Sequence, residues 1–229
     1  MTCLLWLSLW FFLPLMALAQ SWQLAGQTII TFAGGQEGRI AEINERLGQI
    51  IRSSDPLASW SISQRPVYVT LTEKSKDPKV KPKTVQKLQT IEIFLNNNFL
   101  LAVREEDVSS QGAASLEALA NEWTNTLTQF FRTAENRRSV YLSQVLPPTL
   151  TYQGKIYKLV PEPVLDRGLF RTTGVRVADR VVFWEVPAND RTYLLDSQTK
   201  QQIEKSAQNP DRIFIFDPKL QFIGYTRVE

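Results

Sequence analysis

The chain of 229 residues has no histidine and a single cysteine, Cys3. Cys3 precedes an uncharged apolar run, Leu4 to Leu18, that closes on Ala17-Leu18-Ala19. Small residues at that place are what a signal peptidase reads, although the positive n-region is lacking apart from the terminal amine. A chain cut after Ala19 keeps neither cysteine nor histidine. This excludes a disulfide framework, a thiol nucleophile and any metal site built from thiolate or imidazole. It excludes Ser-His-Asp and Cys-His catalysis as well, because the base is missing. No catalytic residue, no cofactor-binding residue and no metal ligand is assigned, and the protein is read as a non-enzyme without a cofactor.

An excess of one charge is also lacking. Lysine and arginine number 26 against 23 aspartate and glutamate, a net charge of +3 that is too small to imply a polyanionic partner. Beyond Leu18 no run is apolar for long enough to cross a bilayer. The composition, 43% hydrophobic and 21% charged, is that of a globular protein.

What the chain does contain is clearest from Thr90 to Phe131. Thr90-Ile91-Glu92-Ile93-Phe94-Leu95 and Phe99-Leu100-Leu101-Ala102-Val103 are two strand-like runs rich in branched and aromatic residues. Between them Asn96-Asn97-Asn98 tolerates the left-handed backbone of a tight hairpin. After Glu105-Glu106-Asp107 and a Ser/Gly loop, Ser115 reads as a helix cap. Leu116, Leu119, Ala120, Trp123, Leu127, Phe130 and Phe131 then recur at helical spacing. Upstream, Thr28–Phe32 reads as a strand and Gly34-Gly35 as a turn without phosphate-loop spacing. Arg39–Ile51 reads as a helix with Ile40, Ile43, Leu47, Ile50 and Ile51 on one face, and Val67–Thr72 as a strand entered from Pro66.

Glu73 to Lys87 differs from its neighbours. Lys74, Lys76, Lys79, Lys81, Lys83 and Lys87 stand against Glu73 and Asp77, with Pro78 and Pro82 among them. Too polar for a core, this span is expected to be an exposed, mobile loop between two strands. The six lysines are the candidate interaction residues, suited to an anionic membrane surface or an acidic partner. Aromatic residues do not interleave with them, so no nucleic acid is expected as partner.

The order of elements carries a resemblance. Arg39-x-x-x-Ile43-x-x-Arg46-Leu47 leads the first helix, Leu101-x-Val103-x-Glu105-x-Asp107 continues the hairpin, and Leu119-Ala120-x-x-Trp123 marks the second helix. Over residues 28–142 this resembles the extracytoplasmic domain that precedes the membrane helices in cyanobacterial-type proteins of the small-conductance mechanosensitive channel family. The resemblance implies a bacterial extracytoplasmic sensing or docking module; the family's channel part has no counterpart here. Export to the periplasm, or to the thylakoid lumen in a cyanobacterium, is the expected localisation, with an uncleaved N-terminal membrane anchor as the alternative.

From Thr149 the pattern changes to short strands. Leu150–Tyr152, the turn Gln153-Gly154 and Lys155–Val160 read as a hairpin, Arg180–Val186 as a central strand, and Thr192–Leu195 as a short one. Ser197–Ser206 reads as one polar accessory helix. Ile213–Phe216 and Leu220–Tyr225, about a turn at Asp217-Pro218-Lys219, read as a last hairpin. Tyr157, Phe170, Phe183, Trp184, Phe214, Phe216, Phe222 and Tyr225 are read first as sheet core and second as the wall of a ligand cleft. Arg167, Arg171, Arg176 and Arg180 lie along one connecting segment.

The expected fold class is α+β: a small sheet with two packed helices, then a mostly antiparallel β domain with one accessory helix. The expected organisation is a signal peptide (1–19), an α/β domain (20–131), a linker (132–148) that docks through Val140, Tyr141 and Val145, and a β-rich domain (149–229). The leading functional expectation is a non-enzymatic module that docks on an envelope protein or membrane surface. Its rival is a carboxylate-based envelope enzyme such as a glycan hydrolase, with Glu105, Asp107, Asp166, Asp179 and Glu185 as candidates for two converging acids.

Overall fold

The computed structural model describes residues 20–32, 36–73, 83–163, 169–177, 179–186 and 210–228. The expected signal peptide, Asp166, Arg167, the strand expected at 192–195 and the helix expected at 197–206 lie outside them. The described residues form an α+β fold with four helices, two small antiparallel sheets and one large antiparallel sheet.

Strands β1 (Gln20–Leu24) and β2 (Gln27–Phe32) form a hairpin. It turns on Ala25 and Gly26 at φ 48° and 78°, the left-handed pair that a two-residue hairpin loop needs. The reading that began at Thr28 missed β1, whose buried Trp22 and Leu24 alternate over only five residues. Helix α1 (Glu37–Ser53) buries Ile43, Leu47, Ile50 and Ile51, the stripe its spacing predicts. Trp22 Nε1 donates to Asn44 Oδ1 at 2.8 Å and so ties β1 to α1.

A three-stranded sheet follows in the order β3 (Ile62–Glu73), β4 (Lys83–Leu95), β5 (Asn98–Arg104). Asn96 and Asn97 turn β4 into β5 at φ 50° and 63°, the conformation expected of them. Helix α2 (Glu105–Gln111) then occupies the place where a solvated loop was expected. Its first turn carries three acids, and Asp107 is buried rather than solvated, 1% exposed. Asp107 Oδ1 and Oδ2 accept from Arg39 Nη1 and Nη2 at 2.7 and 2.9 Å, and Oδ2 also accepts from the Arg104 backbone N–H at 2.8 Å. Arg39 donates further to Ala102 O and lies over the Phe32 ring at 4.8 Å. A buried carboxylate is tolerated because its charge is paired and both oxygens accept hydrogen bonds.

Helix α3 (Leu116–Arg132) is capped by Ser115, whose hydroxyl accepts from the Ala118 N–H at 3.1 Å. All seven residues of its predicted stripe are buried. The expected linker is instead mostly helix α4 (Ala134–Val145), capped by Thr133. Its buried Val140, Tyr141 and Leu142 are consecutive, so they give no helical period in the sequence. Arg137, also buried, donates Nη1 to Phe131 O and Arg132 O at 2.7 and 2.8 Å. It thereby satisfies carbonyls left open at the end of α3.

The third sheet has the order β6 (Thr149–Tyr152), β7 (Lys155–Pro163), β11 (Gln221–Arg227), β10 (Arg212–Asp217), β9 (Arg180–Val186), β8 (Leu169–Val177), all antiparallel. The segment read as a basic connection is therefore edge strand β8. Ile213, Ile215, Ile223, Tyr225 and Val182 join the same buried cluster as α1, α3 and α4. The contact between the two halves is polar as well. Tyr141 Oη donates to Asp217, 3.2 Å from Oδ1 and 3.1 Å from Oδ2, and Tyr225 Oη donates to Pro147 O at 2.9 Å. Lys219 Nζ donates to Arg52 O and Ser54 O at the end of α1, at 2.8 and 2.7 Å.

Two outcomes follow. Asp107→Ala leaves the Arg39 guanidinium buried without its partner, and a loss of about 3–5 kcal/mol in urea unfolding is expected. Burial, and after it the Asp217 charge, pushes the Tyr141 hydroxyl up from 10.0 to about 12, and burial pushes Tyr225 up to about 12. These raised values favour the protonated fold, so their stabilisation is whole below pH 10 and is lost as pH rises toward 12. A chemical-denaturation series across that range should show it, with a smaller loss in Tyr141→Phe.

Candidate docking surface

The three-stranded sheet has two unlike edges. At β5, Arg39 and Arg46 of α1 donate to Ala102 O and Leu100 O, the second at 3.4 Å. Guanidinium groups thus occupy outward carbonyls of that edge. Strand β3 is the other edge and, among the described residues, pairs with β4 alone. Pro66 sits within it opposite Ile91, a residue without an N–H that an edge strand accommodates and a central strand does not.

The edge also outruns its sheet. β5 pairs with β4 from Thr90 to Leu95, whereas β3 pairs with β4 along its whole length, from Ile62↔Leu95 to Glu73↔Lys83. Beyond Thr90 the sheet is therefore a two-stranded ribbon. No residue in Tyr68–Thr72 or Thr84–Gln89 is buried. Tyr68 and Leu71 are 55% and 47% exposed. Strand alternation places Val69 and Leu71 on one ribbon face with Val85 and Lys87, and Tyr68 with Leu88 on the other. Such a ribbon gains little from its own burial, since two strands alone are marginal in water. Its length is thus not explained by the core.

The structure changes the reading of the lysines. Lys83 and Lys87 belong to strand β4, Lys83 at the register position opposite Glu73 and Lys87 exposed opposite Val69. The expected loop is shorter than Glu73–Lys87, because pairing with β3 carries the strand pattern up to Lys83 despite its polar sequence. Lys74, Lys76, Lys79 and Lys81 lie outside the described residues. Tyr68 and Leu71 were legible only as strand residues; nothing in one sequence distinguishes an exposed ribbon from a buried one.

The carboxylates of the rival reading are dispersed in role. Asp107 is committed to Arg39, and Glu105 is exposed two residues earlier on the same helix. Asp179 and Glu185 are exposed at opposite ends of β9, about 20 Å apart at ~3.3 Å per residue. That is beyond the ~5–10 Å a glycosidase pair spans. The aromatics divide between the sheet's faces: Tyr157, Trp184 and Tyr225 are buried, while Phe170 stacks on Phe222 at 3.9 Å with Phe183 and Phe216 edge-on to it.

If the ribbon serves contact rather than folding, its side chains can be changed cheaply. Tyr68→Ser and Leu71→Ser are each expected to shift unfolding free energy by less than about 0.5 kcal/mol. Ile93→Ala, at the fully buried centre of the same sheet, is expected to cost about 2–5 kcal/mol. Urea titration of the three variants checks the contrast.

Among the described residues, no helix is long and apolar enough to cross a membrane. Residues 21–134, the unit containing the ribbon, match the model of a family described as a domain of unknown function (DUF8459). No curated protein and no solved structure matches the chain.

Proposed function

We propose that this protein is a non-enzymatic extracytoplasmic module that docks on an anionic surface of the cell envelope through the β3–β4 ribbon. The observation that carries the reading is the ribbon itself: two paired strands that outrun their sheet and expose Leu71 on the face of Lys87 and Tyr68 on the other. Lysine-rich sequence joins the two strands, with Lys74, Lys76, Lys79 and Lys81 against Asp77. Each lysine held near an anionic leaflet contributes about 1 kcal/mol, and that contribution falls off within a Debye length. An exposed tyrosine and leucine add a shallow apolar contact at the headgroup level. This combination fits a lipid headgroup surface better than a nucleic acid, which would call for stacking aromatics along a basic groove.

The test is co-sedimentation of the mature chain with vesicles of phosphatidylglycerol and phosphatidylcholine. Binding to the anionic vesicles at low salt is expected, with loss at high salt and on pure phosphatidylcholine. Exchanging Lys74, Lys76, Lys79, Lys81, Lys83 and Lys87 for glutamine should abolish it, and Tyr68→Ser with Leu71→Ser should weaken it. A mature chain that ignores anionic vesicles at low salt refutes lipid docking; crosslinking in cells then asks whether an envelope protein takes its place.

A further inference from the structure

The ribbon has an edge as well as two faces. Beyond Pro66, strand β3 continues as Val67-Tyr68-Val69-Thr70-Leu71-Thr72. This stretch holds no charge, proline or glycine, and all of it but Leu71 is β-branched or aromatic. An edge of that composition is a template for another strand, and proteins ordinarily blunt it with charge, proline or a covering element. Here such blunting stops at Arg65 and Pro66. Arg65 is itself turned onto its own sheet, 2.6 Å from Glu92 Oε2 and 4.7 Å over the Phe94 ring. From Val67 to Thr72 every residue is exposed or half-buried.

The two faces of this edge are fixed by α3. Gln64 Nε2 donates to Asn121 Oδ1 at 2.7 Å, so Gln64, Pro66, Tyr68, Thr70 and Thr72 lie on the side of α3 and Arg65, Val67, Val69 and Leu71 on the other. The extra residue of the bulge, Gln89, belongs to β4 and leaves this alternation intact. An isologous contact sets one surface against a copy of itself about a twofold axis. Two antiparallel β3 edges keep their faces in common only where a central residue meets its own counterpart. Centred on Val69, Val67 meets Leu71 of the second copy, Tyr68 meets Thr70 and Pro66 meets Thr72. The outer face then carries an unbroken apolar ladder, and no like charges are opposed. Centring on Tyr68 sets Arg65 against Leu71, and centring on Thr70 sets Val67 against Glu73. The edge is therefore complementary to itself in one register.

We propose that this protein forms a twofold dimer in which Val67–Thr72 of β3 pairs antiparallel with the same edge of a second copy, centred on Val69. The pairing turns a marginal two-stranded ribbon into four strands, enough for a sheet to stand in water. Its main-chain hydrogen bonds lie in the plane of the sheet, so both ribbon faces stay accessible. The dimer is independent of lipid docking and neither requires nor prevents it.

Sedimentation velocity of the mature chain without lipid, over a concentration series reaching about 1 mM, tests the proposal. A reversible dimer is expected. Val69→Lys sets like charges face to face beside Lys87 and should weaken it by about tenfold or more. Mixing Val69→Lys with Val69→Glu should restore dimers by opposite charge. Register is read by oxidation of single-cysteine chains. Val69→Cys should crosslink readily, since directly opposed residues stand about 4.5–5.5 Å apart at Cα. Val67→Cys, about 13 Å from its counterpart along the strand, should not. A parent chain that stays monomeric overturns the proposal. So does a Val69→Lys variant, with unchanged near-ultraviolet circular dichroism, that dimerises as the parent does, or equal crosslinking of the two cysteine variants.

Discussion

The bidentate pair between Arg39 and Asp107 is the constraint on which the first half of the molecule rests. It joins the start of α1 to the first turn of α2, and through Ala102 O and the Phe32 ring it also reaches β5 and β2. Four elements therefore meet on one guanidinium. With Arg39 in place, α1 lies along the β5 edge and Arg46 can reach Leu100 O. Buried pairs of this kind contribute modest net stability, since desolvation offsets much of the attraction, but an unpaired member is costly. The pair thus selects one arrangement of these elements more than it deepens the energy well.

A second, looser constraint holds the halves together. Tyr141 on α4 and Asp217 at the β10–β11 turn meet within a continuous buried cluster, and Lys219 reaches back to the end of α1 while lying over the Tyr141 ring at 5.2 Å. The segment read as a linker is therefore largely a helix that packs on α1, α3 and β7. A contact that combines apolar burial with satisfied buried polar groups resists relative motion of the halves.

The proposed docking ribbon extends the one edge of the three-stranded sheet that α1 does not close. It carries exposed Tyr68 on one face and exposed Leu71, with Lys87, on the other. Both side chains stand outside the core, on a stretch of paired backbone that the rest of the sheet does not cover.

Much of the fold was legible from residue order. The stripes of α1 and α3 at helical spacing, the Asn96-Asn97 turn and the Gln153-Gly154 turn all follow from local rules of periodicity and left-handed backbone, and the structure contains each of them. Most residues of the motif quoted for the resemblance are buried, Ile43, Leu47, Leu101, Val103, Leu119, Ala120 and Trp123, together with the Arg39–Asp107 pair, while Arg46 is half-buried and Glu105 exposed. The motif therefore marks a way of folding rather than a chemistry. Helix α4, strands β1 and β8, and the extension of β4 to Lys83 were not legible, because each is fixed by a neighbour rather than by its own pattern. The same holds for function. The sequence by itself determined the absence of histidine and of any thiol chemistry in a chain cut after Ala19, a property of composition alone. Only the tertiary structure decided that Asp107 is a buried clamp and that Tyr68 and Leu71 stand on an open ribbon. Burial and pairing are relations between residues far apart in the chain, and they come into existence only when the chain folds.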